Sequence, residues 1–205
     1  MADTSNPLTI VALGDSTTAG TPGFRSPLES PPDGAGNVES QYAFWLMQRR
    51  PDWLVLNRGV NGERTDQIRA RFARDVLDER PNIVVIVAGV NDVYQGLSSE
   101  SVQRELAAMY ELARAARIPT VAGTILPYNT ASPDQNQRMR AVNAWIRKYA
   151  AGHPNVAFCD TRAAVAPAHS PDLLLSSPDD LHPSPDGYRR MAEALEPVIA
   201  RLAVS

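Results

Sequence analysis

The 205-residue chain contains a single cysteine, Cys159, so no internal disulfide can staple it. Cys159 follows the apolar run Val156, Ala157, Phe158 and reads as a small buried hydrophobe. Nowhere do eighteen apolar residues run together, which excludes a membrane-spanning helix on length. Charge of one sign is not in excess either. A net charge of -3 gives no electrostatic reason to bind nucleic acid or an anionic membrane, and neither partner is expected. The opening residues, MADTSNPLTI, lack a basic start and a long apolar stretch, so no secretory signal is read and a cytoplasmic location is expected. Phosphate-binding fingerprints are missing, because the first glycine-containing loop reads GDSTTAG rather than GxGxxG. His153, Cys159, Asp160 and His169 do not follow a metal-ligand spacing, so neither metal nor cofactor is expected. Nothing in the sequence marks a self-association surface.

What is present is the composition of an ordinary globular chain, 43% hydrophobic and 21% charged, with a length that suits one domain over 1–205. Five short apolar runs read as strands: Leu8 to Leu13, Trp53 to Leu56, Ile83 to Ala88, Ile118 to Ile125 and Val156 to Phe158. The third, IVVIVA, has the unbroken β-branched character of a strand buried on both faces. Between the runs lie helical stripes through Ile68, Phe72 and Val76, and through Val102, Leu106, Met109 and Ala113. Ser132 and Gln135 form a capping box with Pro133 at the first helical position, ahead of Met139, Val142, Ile146 and Tyr149. Ser184 and Pro185 start a last helix through Tyr188, Met191 and Leu195, which Pro197 is expected to kink or interrupt. This alternation predicts an α/β fold, a parallel sheet covered by helices on both faces. Residues 20–37 and 161–183 read as long loops. Arg64, Arg69, Arg71 and Arg74, interleaved with acidic residues, read as a solvated helix face. Trp45, Trp53 and Trp145 read as core.

In an open parallel sheet, ligands bind beyond the carboxyl ends of the strands. Polar segments gather there: Gly14-Asp15-Ser16-Thr17 after the first strand, Asn57 to Gly62 after the second, Gly89-Val90-Asn91-Asp92 after the third, and Asp179-Asp180-Leu181-His182 before the last helix. A serine hydroxyl needs a base to become a nucleophile, and histidine suits that task near neutrality. Of the three histidines, His182 has an acidic residue three positions earlier on the same loop. That spacing lets Asp179 hold the Nδ1 proton while Nε2 faces Ser16; Asp180 is the alternative acid. For an oxyanion, the Ser16 backbone N–H, the Gly62 backbone and the Asn91 side-chain amide supply three donors. Asp15 reads as an organiser of the turn. Tyr94 and Tyr128 follow strand ends and are candidates to line a substrate pocket.

The ordered blocks GDST, NxGxxG, GVND and DDLHPS, spread over nearly the whole chain, resemble those of the SGNH hydrolases, also called GDSL esterases and lipases. The resemblance implies a flavodoxin-like three-layer α/β/α sandwich with a five-stranded parallel sheet in the order 2-1-3-4-5. It also implies Ser16 as nucleophile, Asp179 and His182 as the rest of the triad, and Gly62 and Asn91 as oxyanion donors beside the Ser16 amide. Gly59 is the rival glycine; Gly62 is preferred because it directly precedes the Glu63-Arg64-Thr65 entry to the next helix. Thr17 stands where GDSL has leucine, and the 20–37 loop is longer than a minimal member needs, so it is expected to wall the pocket. The implied activity is hydrolysis of small-molecule esters, and short acyl chains are expected because nothing in the sequence resembles a large amphipathic lid or a lipid-binding surface. Its rivals are a carbohydrate O-deacetylase, an acyl thioesterase, a lysophospholipase and, from another class, a non-catalytic flavodoxin-like binding module.

Overall fold

The computed structural model describes residues 7–204; residues 1–6, which belong to the opening segment searched for a secretory signal, and residue 205, the far end of the expected 1–205 domain, lie outside the described residues. Strand β1 (Leu8–Gly14) ends in a one-turn helix, α1 (Ser16–Ala19). The 20–37 segment then folds on itself, with the two-residue strands β2 (Phe24–Arg25) and β3 (Ala35–Gly36) pairing antiparallel, where the sequence reads as plain loop. Helix α2 (Tyr42–Arg49) leads to β4 (Trp53–Gly59), and α3 (Thr65–Ala70) with a π-helical turn at Ala73–Leu77 leads to β5 (Ile83–Val87). Next come α4 (Val90–Tyr94), α5 (Ser99–Ala115), β6 (Thr120–Gly123), α6 (Pro133–Gly152), β7 (Val156–Cys159), α7 (Thr161–Val165) and α8 (Pro185–Ala203). No helix of the described residues is long and apolar enough to cross a membrane.

The main sheet runs β4-β1-β5-β6-β7, with every pair parallel. The hairpin strands lie outside it, so its own five strands stand in the order second, first, third, fourth, fifth along the chain, as the resemblance implies. Strand side chains alternate between faces. On one face Val11, Leu13, Val84 and Ile86 pack with Ile68, Phe72, Leu106, Met109, Val142 and Ile146. On the other Ile10, Ala12, Val85 and Val87 pack with Tyr42, Leu46, Tyr188, Met191 and Leu195. The expected helical stripes therefore face the sheet, α3, α5 and α6 on one side and α2 and α8 on the other. Each fully buried aliphatic or aromatic side chain contributes about 1.5–3 kcal/mol relative to exposure.

Several local expectations are corrected. Helix α8 continues through Pro197, because losing one backbone donor is outweighed by burying Val198 and Ile199 beyond it. Residues 161–183 open with α7, started by Asp160, whose side chain accepts from Ala163 N. Trp53 is buried, but Trp45 and Trp145 are only partly so. Arg71 is not part of a solvated face: it is 8% exposed, paired with Glu63 and Asp75.

Candidate active site

Strand β1 and its two neighbours end in register, with Gly14 opposite both Gly59 and Val87. The loops after β1, β4 and β5 therefore leave the sheet side by side. The chain crosses from β1 to β4 on one flank and then to β5 on the other, which opens the crevice at the carboxyl end of β1. Gly14 is needed there, since a Cβ would sit 2.3 Å from the Val87 carbonyl oxygen. Asp15 caps α1 by accepting from Thr17 N at 2.9 Å, and this turn sets Ser16 at the first helical position.

The structure brings Ser16, His182 and Asp179 together. His182 Nε2 lies 2.9 Å from Ser16 Oγ, and His182 Nδ1 lies 2.7 Å from Asp179 Oδ2. A carboxylate can only accept, so Nδ1 carries the proton and Nε2 accepts from the serine hydroxyl. The second carboxylate oxygen of Asp179 accepts from the backbone N–H of Leu181 and His182 at 3.0 and 2.8 Å. Partial burial works to raise the Asp179 pKa, but the hydrogen bonds from His182 and Leu181 outweigh it and hold the group below its ordinary value. Asp180 does not face the imidazole; its carboxylate accepts from Asn129 Nδ2 at 3.0 Å.

A cleft of about 180 Å³ opens beside Ser16. Its polar wall includes Ser16, Asn61, Asn91 and His182, and its apolar wall is Val90, Tyr94, Tyr128 and Leu181. Both candidate tyrosines thus reach it: Tyr128 is buried, Tyr94 is 58% exposed, and their rings meet edge to face at 5.9 Å. No residue of 20–37 is among those that line it, so the segment expected to wall the pocket does not do so. Asn91 Nδ2 donates one hydrogen bond to the Glu63 carbonyl at 2.9 Å, which ties the turn after β5 to the loop after β4. Gly62 adopts a φ of +78°, a left-handed conformation that favours glycine, with open space where a Cβ would stand. Gly59 is accounted for by packing, because its Cβ would meet Ala19 N at 2.1 Å.

Several residues that order this edge are not apparent from the sequence. Arg71 donates to the Gly14 and Arg58 carbonyls, each at 2.9 Å, and so locks the ends of β1 and β4. Asp92 accepts from Thr65 N and Oγ1 at 2.9 and 2.6 Å and fixes the start of α3. Ser26 Oγ donates to Gly59 O at 2.6 Å, and Glu29 accepts from Asn61 N at 2.9 Å. Among the described residues no group of three His, Cys, Asp or Glu is arranged to hold a metal ion.

An open parallel sheet whose carboxyl edge joins serine, histidine and aspartate by hydrogen bonds has the architecture of a serine hydrolase. The GDSL-like lipase/acylhydrolase family matches residues 12–190. The chain belongs to that family and is an ester-hydrolysing enzyme of the SGNH type. It is 29% identical over 153 residues to an acetylxylan esterase of Geobacillus stearothermophilus, covering 68% of this chain and 69% of that one. It is also 29% identical over 151 residues to platelet-activating factor acetylhydrolase IB subunit alpha1 of Homo sapiens, covering 72% of this chain but 64% of that protein, just under two thirds of its length. Among solved structures, a protein of the lipolytic G-D-S-L family from Desulfitobacterium hafniense DCB-2 superposes with a TM-score of 0.76 at 27% identity, over 93% of this chain and 99% of that one.

Proposed function

We propose that this enzyme hydrolyses short-chain acyl esters in two steps, with Ser16 as nucleophile, His182 as general base and acid, and Asp179 as its orienting carboxylate. The observation that carries the reading is the continuous hydrogen-bonded line from Ser16 Oγ through the imidazole to Asp179, ending at an open cleft. Ser16 Oγ attacks the ester carbonyl as its proton passes to Nε2. The tetrahedral intermediate collapses when Nε2 returns the proton to the leaving alcohol, which leaves an acyl-serine. Water then attacks the acyl carbon by the same proton transfers and frees the acid and Ser16. Asp179 stabilises the imidazolium formed in each step.

The oxyanion is assigned to the Ser16 and Gly62 backbone N–H groups and to Asn91. The Asn91 amide has two N–H bonds and gives one to Glu63, leaving the other for substrate. The modest cleft with four apolar side chains favours an acyl chain between acetyl and octanoyl. A carbohydrate O-deacetylase is the second reading, favoured by the similarity to an acetylxylan esterase and by the exposed ring of Tyr94 at the cleft.

A fluorophosphonate probe followed by peptide mapping tests the nucleophile. The expected result is one stoichiometric adduct on Ser16, lost in His182→Ala. A folded protein that takes no label, or takes it on another serine, contradicts the assignment. Rates on p-nitrophenyl esters of increasing length and on acetylated xylo-oligosaccharides then separate the two substrate readings.

A further inference from the structure

We propose that Asn129 is a positioning residue for His182, and that it acts by fastening Asp180 and thereby the turn that carries both His182 and Asp179. The proposal rests on the triad reading above. An imidazole must be held within about 0.5 Å of its working position, yet His182 lies on an irregular segment between α7 and α8, outside sheet and helix. Inside that segment the turn is well braced: Asp179 accepts from two backbone N–H groups, and Ser177 Oγ donates to His182 O at 2.7 Å. These bonds fix the shape of the turn but not its place against the sheet.

Its place is set by Asn129, one residue beyond the cleft-lining Tyr128. Asn129 N donates to Asp180 O at 2.8 Å, and Asn129 Nδ2 donates to Asp180 Oδ1 at 3.0 Å. The amide oxygen of the same side chain accepts from Leu174 N at 2.8 Å. One asparagine thus grips the segment at two points six residues apart, using a donor and an acceptor that no other side chain of its size supplies together. Asp180 stands at a φ of +62°, a left-handed conformation that aspartate tolerates better than most residues. This accounts for the aspartate that stands beside Asp179 without touching the imidazole. The ties from α7 reach only the earlier limb, where Arg162 binds Pro171 O and Asp172, and Leu175 N donates to Val165 O.

The test exchanges the partners. Asn129→Asp keeps an acceptor for Leu174 N but sets a carboxylate against Asp180. It should lower kcat on p-nitrophenyl acetate by about 10- to 100-fold, the scale expected for a displaced catalytic group, with KM within about twofold. Asn129→Asp/Asp180→Asn restores one donor facing one acceptor and should return kcat to within about threefold of wild type. The low-field NMR resonance of the His182 Nδ1 proton should be broadened in the single variant and sharp again in the double. Wild-type kcat in folded Asn129→Asp, or a double variant no better than the single, overturns the proposal. If Asn129→Asp does not fold, Asp180→Gly, which tolerates the left-handed conformation at this position, removes the carboxylate end of the clamp and should cost about threefold to tenfold in kcat; no loss there overturns it equally. The triad reading fails separately: a Ser16→Ala protein with wild-type activity removes it, while the Nδ1 resonance still reports whether Asn129 holds the turn.

Discussion

Asp15, beside the nucleophile candidate, is held far from its solution chemistry. Complete burial pushes its carboxyl up to about 7, Asp92 nearby adds to the rise, and the hydrogen bond from Thr17 N only partly opposes it. Between the ordinary value near 4 and about 7, the folded chain keeps a proton that the unfolded chain releases. The contribution is therefore present at low pH and declines as pH rises through that window. Asn at this position can still accept from Thr17 N but does not titrate. Urea unfolding of Asp15→Asn and wild type should agree near pH 4, and the variant should gain as pH rises to 7, by up to roughly 4 kcal/mol. Parallel stability curves across that range would show that Asp15 is not held protonated. The meeting of Ser16, His182 and Asp179 was legible in the sequence because acyl transfer demands particular residue types, and a carboxylate three positions before a histidine fits one bent segment. Arg71 was not legible. Its charge pattern matches that of Arg64, Arg69 and Arg74, and only the sheet-end carbonyls it meets distinguish it.

At the scale of elements, the 20–37 hairpin is a brace rather than a pocket wall. The buried Ser26 hydroxyl and the Glu29 carboxylate grip the loop after β4 from outside, at Gly59 O and Asn61 N, one residue before Gly62. Glu29→Ala should therefore lower kcat about tenfold with KM little changed, as for loss of alignment at an oxyanion donor, while Glu29→Gln, which keeps an acceptor, retains most of the activity. Steady-state kinetics on an acyl-chain series checks this; an altered chain-length preference with unchanged kcat would return the hairpin to the pocket. Apolar runs and helical stripes revealed the sheet strands and the long helices. They did not reveal that β4 extends to Gly59, because Asn57 is buried there by side-chain bonds to Ala19 O and Gln41 rather than by apolar character. Helix α7, at five residues, is too short to show a period.

At the scale of the whole molecule, the layers and the site follow from one arrangement. Two apolar faces of a parallel sheet are covered by separate helix sets, and the strand order places the chain's first turn at the switch in winding direction. Alternation of runs and stripes made the layers legible, whereas the order of the strands came from the resemblance of the four blocks, since pairing depends on contacts that no local pattern encodes. The central claim is that this edge performs serine-mediated acyl transfer. Its most direct test is the rate of p-nitrophenyl acetate hydrolysis by wild type and Ser16→Ala, with matched folding verified by circular dichroism. A fall of about three orders of magnitude or more in the variant is the predicted result, the scale of losing a triad member. A folded Ser16→Ala protein that hydrolyses the ester at the wild-type rate would contradict it.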